Sequence, residues 1–167
     1  MKKIVFGLLL FTVACASAPT ETQTETAEDL YNQAYAEMEK TAWKRAAQTF
    51  EKIELEHPYS KLAAKAKLMS AYAYYKDEKY DDAILSLDRF IRYHPGNQDV
   101  DYAYYMKGMC YYDQIVGSEK DQDNTAKAEE VFKQVIVRFP DSKYAKDASA
   151  KMALIRDHMA GHEMEVG

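Results

Sequence analysis

His158 and His162 stand four residues apart in the last predicted helix, a spacing that puts both imidazoles on one face, where they could share a metal ion. No third ligand accompanies them, so a solvated face is the simpler reading. His162 and Glu163 could open the helix of a zinc protease, but Val166 stands where the second histidine would be needed. His57 and His94 each precede a proline and read as exposed helix-end residues that complement the dipole. Cys110 lies mid-helix between Met109 and Tyr111, the place of a small packing residue rather than a reactive thiol. The six glycines are scattered and none follows a predicted strand, so no phosphate-cradling loop is built. Catalysis is therefore not expected, nor is a metal or another cofactor.

What stays distinctive is tyrosine, 14 in 167 residues. A tyrosine offers a broad apolar body and a hydroxyl at small entropic cost, which is chemistry for binding rather than for reaction. The charge balance narrows the ligand. Removing Lys2 and Lys3 with a leader takes 22 basic residues to 20 against 27 acidic, a net charge near −7, which argues against nucleic acid.

The elements that must position the tyrosines repeat at a spacing of 37 residues. Trp43 matches Tyr80, Ala46 matches Ala83, Phe50 matches Leu87, Ile53 matches Phe90 and Pro58 matches Pro95. Forward of these, Ala71, Tyr74 and Tyr75 match Gly108, Tyr111 and Tyr112. A spacing of 45 then takes Ala83, Leu87 and Pro95 to Ala128, Phe132 and Pro140, so a third copy carries eight extra residues. Each copy reads as two antiparallel helices. The first presents a small residue (Ala34, Ala71, Gly108), and the second turns its own (Ala46, Ala83, Ala128) toward it and ends in a bulky apolar run stopped by proline. One such pair cannot bury its apolar stripe alone, so the copies must stack. Trp43, Phe50, Leu87, Phe90 and Phe132 are expected to be buried. Ala145, Ala148, Met152, Ile155 and Met159 give a last helix its own stripe.

This pattern resembles the tetratricopeptide repeat, whose unit is 34 residues. The resemblance implies an all-α, tetratricopeptide-like stack of three helix pairs plus a C-terminal helix. The three extra residues per unit lengthen the turn into the next first helix, with Ser60 and Ser142 as expected N-caps. In such a stack the first helices line the concave surface. Carrying the period through places Tyr31, Tyr35 and Met38, then Leu68, Tyr72, Tyr75 and Lys76, then Tyr102, Tyr105, Met109 and Tyr112 along one face. At any single position a half-buried wall residue is an equal alternative; as a set they read as a channel for an extended peptide. These tyrosines are expected to carry less of the core than the matched positions do.

Lys2 and Lys3 precede an apolar run from Ile4 to Val13, too short to span a bilayer but suited to a secretory signal. The run ends in Thr12-Val13-Ala14-Cys15, which is similar to the lipobox of bacterial lipoproteins, Thr12 standing where leucine is usual. That similarity implies a signal peptide over 1–14, a lipidated tether over 15–26 beginning at Cys15, and a repeat domain over 27–167. Ordinary cleavage near Ala16 or Ala18 is the alternative. Ala16 after the cysteine matches lipoproteins forwarded to the outer membrane. A lipidated Cys15 leaves Cys110 unpaired.

The runs Tyr72 to Lys76 (YAYYK), Asp88 to Pro95 (DRFIRYHP), Asp101 to Gly108 (DYAYYMKG) and Phe139 to Tyr144 (FPDSKY) closely resemble the BamD family, lipoproteins of the β-barrel assembly machinery in Gram-negative outer membranes. The resemblance covers the chain from about Leu30 onward. It implies a protein anchored through lipid at the periplasmic face of the outer membrane. It also implies binding to BamA and other subunits of that machinery, and to unfolded outer-membrane proteins, whose C-terminal carboxylate Lys65 or Lys76 would meet. The family's pattern continues with two further helical pairs, associated with BamA contact, beyond the point where this sequence stops at Gly167. A repeat lipoprotein of another envelope machine, for pilus secretin assembly or peptidoglycan linkage, would share fold and anchor but lack the DRFIRYHP and DYAYYMKG runs.

Overall fold

The computed structural model describes residues 25–116 and 122–166, the side chains of 116, 122 and 158–166 excepted. Cys15, the signal segment, most of the tether and part of the third-copy insertion lie outside the described residues, as do the side chains of His158, Met159 and His162. Seven helices are present among the described residues, and no strand. They are α1 (Ala27–Glu39), α2 (Trp43–Glu56), α3 (Ala63–Lys76), α4 (Tyr80–Tyr93), α5 (Val100–Val116), α6 (Gln122–Arg138) and α7 (Lys143–Val166). The architecture is the expected one, three antiparallel pairs and a final helix.

The helix ends follow from local chemistry. Thr26 caps α1 by accepting from the Asp29 backbone N–H, while the Asp29 carboxylate accepts from Thr26 N–H, a reciprocal box that satisfies two orphan donors. The prolines stop the second helices: His57 and His94, each forced out of helical geometry by the ring that follows, sit at φ −130° and −129°. Ser142 directly precedes α7 and accepts from Tyr144 N–H. Ser60 is not the residue preceding α3; it accepts from Leu62 N–H in a turn that runs two residues longer than the one after Pro140.

The turns inside the first two pairs share an unusual conformation. Thr41 (φ 54°) and Glu78 (φ 59°), 37 residues apart, are left-handed. Each closes a Schellman motif: Thr41 N–H bonds Met38 C=O and Ala42 N–H bonds Glu37 C=O, with Glu78 to Tyr75 and Lys79 to Tyr74 as the second copy. Glycine is the residue that tolerates this geometry without a Cβ clash. Thr41→Gly should therefore stabilise the fold by about 1 kcal/mol, Glu78→Gly somewhat less because its side chain is unbranched. Thermal unfolding should show a rise of a few degrees for each change, adding in the double variant.

Packing sets small against large in every pair. Ala34 and Phe50 share one cluster, Ala71 and Leu87 the next, and Gly108 lies against the ring of Phe132 in the third. Phe50, Leu87, Phe90 and Phe132 are fully buried. Trp43 is not: it is half-buried, its indole edge-on to Tyr72 with Lys76 over its face. As the first residue of α2 it stands at the mouth of the pair, where the facing helix has already ended. Ala148, Met152 and Ile155 seat α7 on the third pair, and Ala145 is buried as well.

Candidate functional site: an aromatic face on the first helices

Each first helix approaches the first helix of the next pair, α1 to α3, α3 to α5 and α5 to α7, whereas among the described residues no two second helices approach one another. The first helices therefore occupy the inner side of the stack, and the face they share is the candidate site.

At its N-terminal end Tyr31 lies half-buried against Tyr35 (5.6 Å between ring centroids) and Phe50 (5.3 Å), with Lys65 Nζ 5.4 Å from its ring. Its hydroxyl is buried with no hydrogen-bond partner among the described residues. Tyr35 is 44 % exposed, the most open tyrosine of the face. Tyr72 packs on the second core cluster and meets the Trp43 edge, and the Lys76 ammonium stands 5.8 Å from the indole. Met38 packs under α1, and Leu68 is buried outright.

The other tyrosines tie neighbouring first helices together. Tyr75 donates its hydroxyl to Asp113 on α5 at 2.5 Å, and Tyr105 donates to Asp147 on α7 at 2.5 Å. Burial, and then the carboxylate partner, push both phenols well above their usual range, so both remain protonated donors. Tyr105 stacks on Tyr144 at 5.0 Å and Tyr102 meets the same ring tilted at 5.1 Å, and burial raises the Tyr102 phenol as well. Tyr112 meets Phe132 at 6.3 Å and carries Lys151 over its ring at 4.7 Å, with Met109 packed alongside in the third cluster. Tyr75 and Tyr105 thus belong to packed clusters, and their replacement by alanine would disturb the core more than the sequence reading expects.

Three features of this face are missing from the sequence reading. Asp113 and Asp147 are the hydroxyl acceptors, and Tyr144 on α7 extends the aromatic row beyond the third pair. Tyr102-Ala103 and Tyr144-Ala145 are 42 residues apart, and that spacing is the signal that could have revealed it. Lys65, Lys76 and Lys151 each lie over an aromatic ring, so the walls are aromatic and the cations sit on them.

Of the groups with other chemistry, Cys110 is buried beneath this face and His57 and His94 lie at the ends of the second helices. Burial, with Asp113 adding, pushes the Cys110 thiol up to about 12, the state of an inert packing residue. His57 is half-buried and holds Glu25 C=O through Nε2 at 2.8 Å. His94 is half-buried on Phe90, and burial together with Lys67 lowers its pKa, which opposes the cationic dipole partner expected from sequence. Among the described residues no three His, Cys, Asp or Glu side chains gather as metal ligands. Nor, among them, is any helix long and apolar enough to cross a membrane.

Residues 23–167 match the YfiO family, described as outer membrane lipoproteins. The chain is 41 % identical over 138 residues to the outer membrane protein assembly factor BamD of Rickettsia prowazekii, covering 83 % of this chain and 55 % of that protein. It is 38 % identical to BamD of Caulobacter vibrioides (84 % and 46 % covered) and 35 % identical to BamD of Neisseria meningitidis serogroup B (99 % and 69 %). The chain thus spans about half the length of the first two. A solved structure of a MamA RS-1 double mutant superposes with a TM-score of 0.56 at 17 % identity, over 85 % of this chain and 80 % of that one, a likeness of fold.

Proposed function

Since the chain belongs to the BamD family of outer membrane protein assembly factors, we propose that it is a lipid-anchored scaffold of the β-barrel assembly machinery at the periplasmic face of the outer membrane. In this reading Cys15 carries the lipid, and the aromatic face of α1, α3, α5 and α7 takes up extended segments of unfolded outer-membrane proteins for transfer to BamA and the other subunits. The observation that carries it is the continuity of that face: tyrosines from three successive first helices, joined by Tyr144, run along one side of the stack with lysines on their rings. Extended peptides present alternating side chains and unpaired backbone groups, and tyrosine can meet both. No catalytic role is assigned to any residue.

Tyr35 and Tyr72 are the residues to alter, because Tyr75 and Tyr105 also hold neighbouring helices together. Tyr35→Ala with Tyr72→Ala should weaken binding of a peptide from the C-terminal strand of an outer-membrane β-barrel by about tenfold or more, the loss usual for two aromatic anchors. Helical content should stay the same. Titration of wild type and variant, with a scrambled peptide as control, reads this directly; equal affinities would remove the face as the binding site. Co-purification of BamA from solubilised outer membranes tests membership of the machinery independently.

A further inference from the structure

Seven large apolar side chains stand exposed among the described residues, and they are not spread evenly. Leu55 (81 % exposed) and Tyr93 (64 %) lie in the last turns of α2 and α4, Val137 (69 %) in the last turn of α6, and Tyr59 (100 %) in the turn after Pro58. Four of the seven thus sit at one end of the stack, where each second helix finishes. The turns at the opposite end, Lys40 to Ala42 and Asp77 to Lys79, expose only polar side chains.

The same end receives the tether. Lys52 pairs with Glu25 at 2.5 Å, His57 holds the Glu25 carbonyl, and a cavity of about 570 Å³ is lined jointly by Thr26, Glu28, His57 and Tyr59. Ten Cα-to-Cα steps separate Cys15 from Glu25, so the chain can reach at most ~36 Å between a lipid on Cys15 and this edge. Charge permits the approach. The carboxylates flanking Leu55 are both engaged by lysines, Glu54 by Lys67 and Glu56 by Lys52, while exposed Arg92 and Lys61 stand near Tyr93 and Tyr59.

We infer that this edge, formed by Leu55, Tyr59, Tyr93 and Val137, rests on the lipid surface that holds the anchor, the apolar side chains entering the headgroup boundary and the cations meeting phosphates. The occupant is the bilayer itself. Tyrosine is favoured at such a boundary because its ring takes the apolar side and its hydroxyl the wet one. The orientation rests on the proposed lipid at Cys15, and it turns the α1–α2 and α3–α4 turns away from the membrane.

Trp43, the single tryptophan, begins α2 and so lies ~20 Å from the edge, a built-in distal reporter. The test compares the wild-type chain with a Trp43→Phe/Tyr93→Trp variant, both made in a Gram-negative host and reconstituted in phosphatidylethanolamine–phosphatidylglycerol vesicles with brominated acyl chains. Bromine reaches only side chains within the outer ~5–10 Å of the bilayer, so the indole at position 93 should be quenched at least twofold more than Trp43. A second arm adds Cys15→Ala forms of both chains to excess vesicles, and intact mass reports lipid on Cys15 separately. An unacylated Cys15 with quenching at position 93 in the second arm refutes the anchor and keeps the edge. Acylation with equal, weak quenching at both positions overturns the edge and returns it to a protein partner. Adding Leu55→Asp to the position-93 variant should abolish the difference; persistence of the difference also counts against the edge.

Discussion

Phe132→Ala should destabilise the fold by about 4–5 kcal/mol, at the top of the range for a buried phenylalanine. The ring is fully buried at the centre of the third cluster, with Tyr105 and Tyr112 at 6.1 and 6.3 Å. Its opposite wall is Gly108, which has no side chain to move into the space. A cavity whose lining cannot relax costs most. The converse change makes the same point: a Cβ added at Gly108 would lie 2.6 Å from Phe132 Cε1, closer than packed atoms tolerate. Gly108→Ala should therefore lose about 1–3 kcal/mol despite the better helix propensity of alanine. The second pair solves the same contact with Ala71 against Leu87. Gly108→Ala combined with Phe132→Leu should accordingly recover part of either single loss. Urea unfolding with an unchanged m-value measures all three; a loss below about 1 kcal/mol for Phe132→Ala would mean that α5 and α6 are wrongly registered.

The second large effect is an asymmetry between two partners. Lys67 is 5 % exposed on α3, yet carries its ammonium to Glu54 on α2 and lies 5.1 Å over the Tyr93 ring of α4. Removing the acid strands a buried charge, so Glu54→Ala should cost about 2–3 kcal/mol, less than for a fully buried pair because Glu54 is 36 % exposed. Removing the base strands nothing, since that carboxylate can turn to water. Lys67→Met, which keeps the stem that packs between helices, should stay within about 1 kcal/mol of wild type. The same unfolding experiment on the two single variants reads the difference, and equal losses would show that the ion pair rather than burial of the lysine governs the site.

The repeat was legible because its grammar is local: small residues facing large ones, and a proline at the end of each second helix. The same locality explains what was missed. Trp43 sits at the matched position of Tyr80, but both begin a helix, and burial there depends on how far the opposing helix extends. The acceptor of the Tyr75 hydroxyl is Asp113, 38 residues on, and that of Tyr105 is Asp147, 42 on. Such partners are chosen by the rotation from one pair to the next, which a 37-residue period does not encode. Tyr144 escaped because it stands four residues after Pro140 where Tyr102 stands seven after Pro95, so α7 is out of register. The tyrosines were placed on the first helices from spacing alone; their division into open residues such as Tyr35 and tied ones such as Tyr75 and Tyr105 required coordinates.

Contact between first helices without contact between second helices also has a mechanical consequence. Each second helix is tied to the next pair only through the first helix beside it, so bending of the stack is shared between that packed contact and the inner edge. Spreading α2 from α4 works against the packing of α2 on α3 and the Lys67 bridge from Glu54 to Tyr93, as well as against the inner seam. Across that seam the Tyr75–Asp113 and Tyr105–Asp147 hydrogen bonds are short struts set at nearly equal intervals. They add to the spring constant of the stack, and a phenylalanine in place of either tyrosine would soften it while leaving the ring in place.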